Sequence, residues 1–306
     1  MNLKSQISNL RSHILHLGFL SLAFGGCLFP SVALADLADD VIAQVAANVA
    51  KLKAADPEAV PMAFWDFDGT IIKGDVSEGL EENGKQLYKG LIQRTIEEGL
   101  SPVYAKETGW RQYAETDYPR LKQLGYWLAW PFNAQIYEGV ESAKLDDFCR
   151  REFDRVYPKW YFRFSVKVFR GLAAAGVENY VISGSPESFV RNAAASLGIP
   201  REHIRGIRVT ETGGRMSTQL VYPMPFSEGK VENLREFVAA QAHGVAVAAF
   251  GNSYYNDAPF MRYVATQPAL PGGAKGTAVM INGMKLRPGY EEFFIKTTET
   301  EVVEDK

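Results

Sequence analysis

The sequence predicts an α/β protein with a parallel sheet and helices packed on both of its faces. Three observations predict this fold class. Strand-like and helix-like segments alternate along most of the chain, which is typical of parallel sheets with right-handed crossovers. The segment 62–67 is an apolar and aromatic run that ends in acidic residues, as expected of a strand buried on both faces. Polar clusters also follow three predicted strands, at the sheet edge where ligands of such proteins bind.

The first 35 residues have the layout of a secretory signal peptide. Lys4 and Arg11 are their only charges, an apolar stretch runs from about residue 14 to residue 29, and small residues lead up to Ala35. Glycines interrupt the apolar stretch, which falls short of the roughly 20 residues needed to span a bilayer. We expect cleavage after Ala35, giving a secreted or periplasmic protein with no stable membrane association. The alternative is a lipoprotein anchored through Cys27.

Composition narrows the possible functions of the mature chain. Residues 1–35 carry two basic residues and no acidic one, so their removal changes the formal net charge from -3 to -5. The chain contains no basic block, and we therefore expect no nucleic-acid partner. Of the two cysteines, Cys149 alone remains after cleavage, which excludes an internal disulfide bond. The pattern does not indicate an oligomeric state.

The first predicted elements are a helix and the buried strand. Apolar residues between 41 and 52 recur at helical spacing, which predicts a leading helix that ends before Pro57. The strand at 62–67 follows. Residues 75–159 then change to helical patterns rich in aromatic side chains. We interpret this segment as an insertion into the α/β core.

Alternation resumes after the insertion. Apolar periodicity and glycine stops predict a helix at 164–175, a strand at 177–182 and a helix at 186–197. Residues 207–209 and 216–220 flank Gly213-Gly214 and predict a hairpin. A helix at 230–242 and strands at 245–250 and 277–281 complete the predicted elements. The domain prediction is a signal peptide at 1–35, a core at 36–74 and 160–306, and a helical insertion at 75–159.

Four features of the core occur in an order that resembles the motifs of the haloacid dehalogenase superfamily. They are Asp66-Phe67-Asp68-Gly69-Thr70 after an apolar strand, Ser183 at the end of a later strand, the isolated Lys230, and Gly251-Asn252-Ser253 with Asp257 beyond. The resemblance covers residues 61–285. It implies a Rossmann-like parallel sheet sandwiched by helices, with an inserted helical cap, and a phosphatase that forms an aspartyl-phosphate.

The resemblance also implies roles for individual residues. Asp66 would be the nucleophile, and Asp68 would protonate the leaving oxygen and later deprotonate water. Ser183 would bind a phosphoryl oxygen together with the Gly184 amide, near the positive end of the following helix. Lys230 would neutralise phosphoryl charge.

The implied cofactor is Mg2+, with Asp66, Asp68, Asn252 and Asp257 as candidate ligands. Asn252 occupies a position where the superfamily usually has aspartate, which removes one negative charge from the site. Asp257 would coordinate directly or through water. A phosphotransferase with the same phosphoenzyme, or an exported protein that binds phosphate ligands without turnover, are the alternative functions.

The substrate is expected to be a small organic phosphate ester. Phosphoserine phosphatases and bacterial phosphocholine phosphatases are the branches that this sequence resembles. Asp75 matches an acidic position that receives a substrate amine in the first of these, whereas Arg111 and Arg120 are only candidates for a carboxylate partner. Thr70 is grouped with this site, although we expect it to hold the Asp68 turn.

Aromatic residues of the insertion have two possible roles. Four of the five tryptophans lie in the insertion or, in the case of Trp160, directly after it, and a cage of rings could bind a quaternary ammonium. Packing of a small helical core is the favoured interpretation. Trp127 and Trp130, three residues apart, would share one face of a helix.

Overall fold

Six parallel strands form the central sheet in the computed structural model, which describes residues 32–267, 270, 273, 275–284, 288–290 and 293–303. Their order across the sheet is β10-β9-β8-β1-β4-β5. The strands are β1 (Val60–Trp65), β4 (Glu178–Pro186), β5 (Ile204–Ile207), β8 (Gly244–Ser253), β9 (Thr277–Met284) and β10 (Ile295–Thr297). The predicted α/β class with a parallel sheet is confirmed.

Helices cover both faces of this sheet because alternate residues of the central strand point to opposite sides. Trp65 packs in one apolar cluster and Phe64 in another. On the first face α1 packs against α7, and on the second α9 packs against α10. The five core helices are α1 (Val32–Ala55), α7 (Arg163–Ala174), α8 (Glu187–Ala195), α9 (Glu228–Ala240) and α10 (Ala258–Thr266).

The segment between β1 and β4 contains helices, as predicted, and a hairpin that the sequence pattern did not indicate. The hairpin strands are β2 (Gly79–Glu82) and β3 (Lys85–Lys89). The helices are α2 (Leu91–Glu97), α3 (Gly109–Gln112), α4 (Tyr118–Leu124), α5 (Tyr126–Gln135) and α6 (Ser142–Val156). Four- and five-residue strands are too short to show a clear alternation, so the hairpin was missed.

A second hairpin lies between β5 and α9. Its strands are β6 (Val209–Thr212) and β7 (Arg215–Leu220), joined at Gly213-Gly214 as predicted. The assignment of residue 207 to this hairpin was wrong. Ile207 ends β5 and pairs with β4 in the central sheet, since β5 and β6 are separated only by Arg208 and the sequence does not mark the change of sheet.

The two chain crossings into and out of the insertion are paired with each other. The Lys73 amide donates to the Trp160 carbonyl at 2.8 Å, and the Phe162 amide donates to the Ile71 carbonyl at 2.8 Å. A C-terminal segment joins them, since the Val303 amide donates to the Tyr161 carbonyl at 2.8 Å. The insertion is therefore anchored to the core by backbone hydrogen bonds.

Most of the predicted signal peptide, including Lys4, Arg11 and Cys27, lies outside the described residues, which begin at residue 32. Across the described ranges, no helix combines the length and the apolar character that a membrane crossing requires.

Candidate active site

Two aspartates follow the central strand β1. Because β1 lies between β4 and β8, Asp66 emerges at the middle of the sheet, where its amide donates to the Phe250 carbonyl at 2.9 Å. The chain then turns through Gly69, whose φ of 71° suits glycine. A Cβ at this glycine would lie 1.9 Å from Nδ2 of Asn252, so no other residue fits here without displacing that side chain.

The Asp66 carboxylate is buried and held at both oxygens. Lys230 Nζ donates to Oδ1 at 2.7 Å, and the Thr70 hydroxyl donates to Oδ2 at 2.8 Å. Burial and the negative charge of Asp257 raise the pKa of Asp66 to about 7, against the opposing effect of Lys230. Thr70 therefore orients the carboxylate of Asp66, whereas the sequence placed it on the turn around Asp68.

Lys230 is fully buried in the first turn of α9 and bridges two carboxylates. Its Nζ lies 2.7 Å from Asp66 and 2.6 Å from Oδ1 of Asp257. Burial disfavours the ammonium charge, but Asp257 and Asp66 together raise the pKa of Lys230. The lysine is thus a buried cation in the centre of the cluster.

Asp257 serves the structure of this cluster. Besides its bond to Lys230, its Oδ2 accepts the backbone amides of Asn252 at 3.0 Å and Ser253 at 2.9 Å. The carboxylate is fully occupied by these partners and does not line the neighbouring cavity. This geometry places Asp257 behind Lys230, and its predicted role as a direct metal ligand gains no support from it.

The Asp68 carboxylate is oriented by neutral donors. Oδ1 accepts the Val76 amide at 2.6 Å, and Oδ2 accepts the hydroxyls of Ser185 at 2.7 Å and Ser183 at 3.2 Å. Burial raises the pKa of Asp68, and these donors oppose the shift. Ser183, predicted as a phosphoryl ligand, in this structure donates to Asp68, and the sequence did not indicate Ser185.

Asp75 lies near Asp68 at the start of the insertion. One of its oxygens accepts the amides of Ser77 at 2.7 Å and Glu78 at 2.9 Å. Burial, followed by the charges of Asp68 and Glu78, raises the pKa of Asp75 well above its ordinary value. The structure therefore brings this residue to the site, as a carboxylate that also fixes a turn.

A cavity of about 160 Å³ joins these groups. On the core side it is lined by Asp66, Asp68, Gly184, Ser185, Asn252 and Ser253. On the insertion side it is lined by Asp75, Ser77, Glu78, Tyr118, Trp130 and Asn133. Ser77, Tyr118 and Asn133 were not predicted, because their position depends on how the insertion packs.

Gly184 allows the insertion to approach the end of β4. A Cβ at this position would lie 2.8 Å from two carbons of the Trp130 ring, so a side chain here would push the ring away. Trp130 lines the cavity, whereas Trp127 is 58% exposed. Trp127 and Trp130, three residues apart in α5, thus have different surroundings.

The donor set fits a hard divalent cation. Asp66 and Asp68 contribute carboxylate oxygens and Asn252 an amide oxygen, the ligand type that magnesium prefers. Lys230 also offsets only part of the negative charge of Asp66, Asp68 and Asp257. Within the described ranges, no group of three or more histidine, cysteine, aspartate or glutamate residues is arranged to hold a metal. Any metal here would therefore depend on Asn252 and on oxygens from substrate or water.

The fold and sequence were compared with known proteins. No curated protein sequence matches. The structure is similar to a protein of unknown function from Bordetella pertussis Tohama I, with 17% identity, a TM-score of 0.53 and coverage of 76% of this chain and 94% of that chain.

Two further solved structures are more distant. A HAD family hydrolase from Salmonella enterica serovar Typhi has 16% identity, a TM-score of 0.46 and coverage of 79% of this chain and 68% of that chain. A phosphoserine phosphatase in its apo form has 12% identity, a TM-score of 0.45 and coverage of 80% of this chain and 95% of that chain.

The family model described as haloacid dehalogenase-like hydrolase matches residues 63–262. This range runs from β1 into α10 and includes every cavity-lining residue named above. It also spans well over half of the sequence. The chain therefore belongs to the haloacid dehalogenase-like hydrolases.

Proposed function

We propose that this protein is a magnesium-dependent phosphomonoesterase that acts on an organic phosphate through an aspartyl-phosphate on Asp66. The observation that carries the proposal is the pairing of two carboxylates beside one buried lysine. Asp66 is held by Lys230 at 2.7 Å, while Asp68 lines the same cavity and has no cationic hydrogen-bond partner of its own. Lys230 thus favours the anionic form of Asp66, against burial and Asp257, which raise the pKa of Asp66 to about 7, and Asp68 is placed to exchange a proton.

In the first step, a carboxylate oxygen of Asp66 forms a bond to phosphorus as the bond from phosphorus to the ester oxygen breaks. Asp68, in its protonated form, donates that proton to the departing oxygen. The buried ammonium of Lys230 stabilises the negative charge of the phosphoryl group that is now bonded to Asp66. When bound at Asp66, Asp68 and Asn252, magnesium would supply further neutralisation of the phosphoryl group.

In the second step, the Asp68 carboxylate accepts a proton from a water molecule whose oxygen attacks the phosphorus of the aspartyl-phosphate. The bond between phosphorus and Asp66 breaks, inorganic phosphate leaves, and both aspartates return to their starting states. Ser183 and Ser185 hold Asp68 in one orientation through both steps by donating to its Oδ2. Asp257 keeps Lys230 charged and in place.

The test is hydrolysis of p-nitrophenyl phosphate with magnesium by the wild type and Asp66→Asn. Asparagine is nearly isosteric but is not an anionic nucleophile, so we expect a loss of at least about a thousandfold in turnover. Asp117→Asn is the matched control, since Asp117 accepts hydrogen bonds from Tyr104 and Gln112 and does not line the cavity. Residual Asp66→Asn activity within about tenfold of wild type, or roughly 1.4 kcal/mol, would exclude the covalent mechanism.

The role of Asp68 has its own test. Asp68→Asn should slow both the appearance and the decay of the phosphoenzyme in acid-quenched reactions, because the same residue moves the proton in both steps. An unchanged rate would exclude Asp68 as the acid and base. Product release that depends on an added alcohol would instead indicate a phosphotransferase, and a complete lack of turnover would indicate a binding protein.

We also propose that the protein is exported after cleavage behind Ala35. The proposal is supported by the charge and apolar layout of residues 1–35. N-terminal sequencing of the protein from a periplasmic fraction should begin at Asp36. A lipid-modified N-terminus at Cys27 would support the lipoprotein alternative.

A further inference from the structure

Four aromatic rings contact one another in series beside the cavity. Tyr126 and Trp130 come from α5, Phe226 precedes α9, and Tyr255 follows β8. Successive ring centroids are separated by 5.4 Å, 5.3 Å and 5.9 Å. We call these four residues the aromatic ridge. It connects the insertion to two loops of the core.

The aromatic ridge meets the catalytic cavity at Trp130, the second ring of the series. Trp130 lines that cavity and packs directly on Gly184, between the serines that orient Asp68. Trp130 contacts Tyr126 and Phe226, so a substrate group that lies against Trp130 is close to both of these rings.

The core end of the aromatic ridge is held in a defined position. Tyr255 lies between Ser253 and Asn256, both of which line the cavity. The Ser227 amide donates to Oδ1 of Asn256 at 2.8 Å, which ties the loop of Phe226 to the loop of Tyr255. The rings are thus fixed by neighbouring backbone, and their positions follow those of the catalytic loops.

Core packing does not account for the exposed members of this row. Tyr255 is 60% exposed and Tyr126 is 46% exposed, although both make ring contacts within the ridge. Contiguous exposed apolar surface on a soluble protein commonly marks a binding site. Beyond Phe226 the surface continues into an open groove of about 630 Å³ that also contains Tyr222 and Met224. The surface next to the catalytic cavity therefore offers more aromatic area than a small aliphatic alcohol requires.

We propose that the aromatic ridge binds the leaving group of the substrate, and that the preferred substrates are phosphate monoesters of alcohols carrying a planar aromatic or heteroaromatic ring. The proposal rests on the proposed function and makes its substrate class more specific. With phosphorus beside Asp66, the ester oxygen must point away from the attacking carboxylate, toward the cavity mouth. Exposed aromatic side chains next to the cavity favour stacking of a planar group.

The experiment compares benzyl phosphate with cyclohexylmethyl phosphate. Both are esters of primary alcohols, so the leaving oxygens have similar basicity and the compounds differ mainly in ring planarity. We expect kcat/KM for the benzyl ester to be about tenfold higher, which is within the range for stacking one ring on aromatic side chains. Equal kcat/KM values for the two esters in the wild type would overturn the proposal.

Two variants connect this preference to the aromatic ridge. Tyr255→Leu and Tyr126→Leu, at its two ends, should each reduce the benzyl preference by several-fold while hydrolysis of ethyl phosphate changes less than about twofold. Trp127→Leu is the matched control, because Trp127 is an exposed ring on the same helix that makes no contact within the ridge. A preference that survives both ridge variants, or is lost equally in the control, would overturn the assignment.

Binding of two phosphonates separates this proposal from the proposed function. Calorimetry with 2-phenylethylphosphonate and 2-cyclohexylethylphosphonate, which replace the ester oxygen by carbon, requires no turnover. Tighter binding of the phenyl compound, reduced in Tyr255→Leu, would support the subsite even if no ester were hydrolysed. Hydrolysis without any difference in phosphonate affinity or ester selectivity would retain the phosphatase and exclude the aromatic subsite.

Discussion

The two sides of the cavity bury polar groups by different means. The core side contains a cluster of charges, Asp66, Lys230 and Asp257, which we call the floor. The insertion side contains, besides Asp75 and Glu78, a set of neutral groups, Tyr113, Asn133 and Tyr118, which we call the wall. Both sets of side chains are almost fully buried. They differ in whether the buried charges are neutralised by opposite charges.

The wall is a chain of hydrogen bonds between neutral groups that ends on the Glu78 carboxylate. The Tyr113 hydroxyl donates to Asn133 Oδ1 at 2.7 Å, Asn133 Nδ2 donates to the Tyr118 oxygen at 3.4 Å, and the Tyr118 hydroxyl donates to Glu78 at 2.7 Å. Burial raises the pKa values of Tyr113 and Tyr118, so both hydroxyls stay protonated. The three residues of the wall are therefore neutral, and the one charged group in the chain is the partly exposed Glu78 carboxylate at its end.

The polar groups of the floor have hydrogen-bond partners, but its negative charges outnumber its one positive charge. One ammonium faces two carboxylates, and the pKa of Asp66 is raised to about 7 because burial and Asp257 outweigh Lys230. Such an arrangement is costly for folding, since buried ions lose their hydration. It is suited to a site that receives a cation and a phosphoryl group. The comparison suggests that the wall stabilises the structure and that the floor is maintained for chemistry.

The largest expected effect on stability comes from removing the cation of the floor. Lys230→Met leaves the carboxylates of Asp66 and Asp257 buried without a positive partner, and we expect a loss of about 3–5 kcal/mol in the free energy of unfolding at neutral pH. Lys122→Met is the control, because Lys122 pairs with Glu78 at 3.3 Å with both side chains about one-third exposed. It should cost about 0–1 kcal/mol. Denaturant unfolding measures both, and equal losses would remove the distinction between the two sides.

The second prediction breaks the neutral chain of the wall. Asn133→Leu keeps the side-chain volume but leaves the buried Tyr113 hydroxyl without its acceptor, which should cost about 1–3 kcal/mol. Tyr113→Phe removes the donor instead, while Asn133 keeps Tyr118, and should cost about 0.5–1.5 kcal/mol. Unfolding of the two variants in denaturant gives the comparison. A larger loss in Tyr113→Phe would mean that the ring packing, and not the hydrogen bonds, holds the wall.

The floor could be predicted from the sequence to a greater extent than the wall. Asp66 follows β1, and Asn252, beside the floor, lies at the end of β8. The apolar runs of both strands are visible in the sequence, and parallel strands bring their carboxyl ends together. Lys230 was identified by its order along the chain and by the resemblance. The side-chain partners were not predictable, because Thr70 turns to Asp66 and Ser183 turns to Asp68 through local backbone geometry.

The wall could not be derived because the insertion has no single period. Tyr113 lies in a π-helical turn, Tyr118 begins α4, and Asn133 lies two residues after a proline within α5. None of these positions follows from a 3.6-residue pattern alone. The favoured packing role agrees with the buried rings of Tyr113 and Tyr118, whose centroids are 4.9 Å apart. Trp130 instead lines the cavity and contacts the exposed ring of Tyr126, which required tertiary structure to show.

The third prediction adds a charge next to the floor, at Asn252, which lines the cavity beside Asp66 and Asp68. If this residue coordinates magnesium, Asn252→Asp adds an anionic ligand and should lower the half-saturating magnesium concentration by about tenfold, or about 1.4 kcal/mol. In a chelator the same variant should melt at a lower temperature than wild type, because three carboxylates then repel one another. A magnesium titration of activity and thermal unfolding with and without chelator measure both effects. An unchanged or higher half-saturating concentration would place residue 252 outside the metal site.

The smallest expected effect concerns an exposed ion pair, in which a basic side chain contacts carboxylates as Lys230 does in the floor. His243 Nδ1 lies 3.0 Å from Asp56 Oδ2, and its Nε2 lies 3.2 Å from Glu58. The hydrogen bond with Asp56 raises the pKa of His243 above its ordinary 6.5, and the bond with His243 lowers the pKa of Asp56 below 3.8. The contribution of the histidine is therefore fully present below pH 6.5 and lost as pH rises through its folded pKa. The contribution of the aspartate is present above pH 3.8 and lost as pH falls through its folded pKa.

These opposite signs define a window in which the surface pair stabilises the fold, between about pH 4 and 6.5. His243→Asn retains a residue that tolerates the positive φ of 61° at this position. The difference in melting temperature between wild type and this variant should be largest near pH 5 and should shrink toward zero by pH 8. The corresponding difference for Lys230→Met should persist at pH 8, because the pKa of Lys230 is raised above 10.5 by its two buried carboxylates. If the difference in melting temperature between wild type and His243→Asn stays constant from pH 5 to pH 8, the histidine acts through packing. The pH dependence of stability would then not distinguish the exposed charge pair from the buried one.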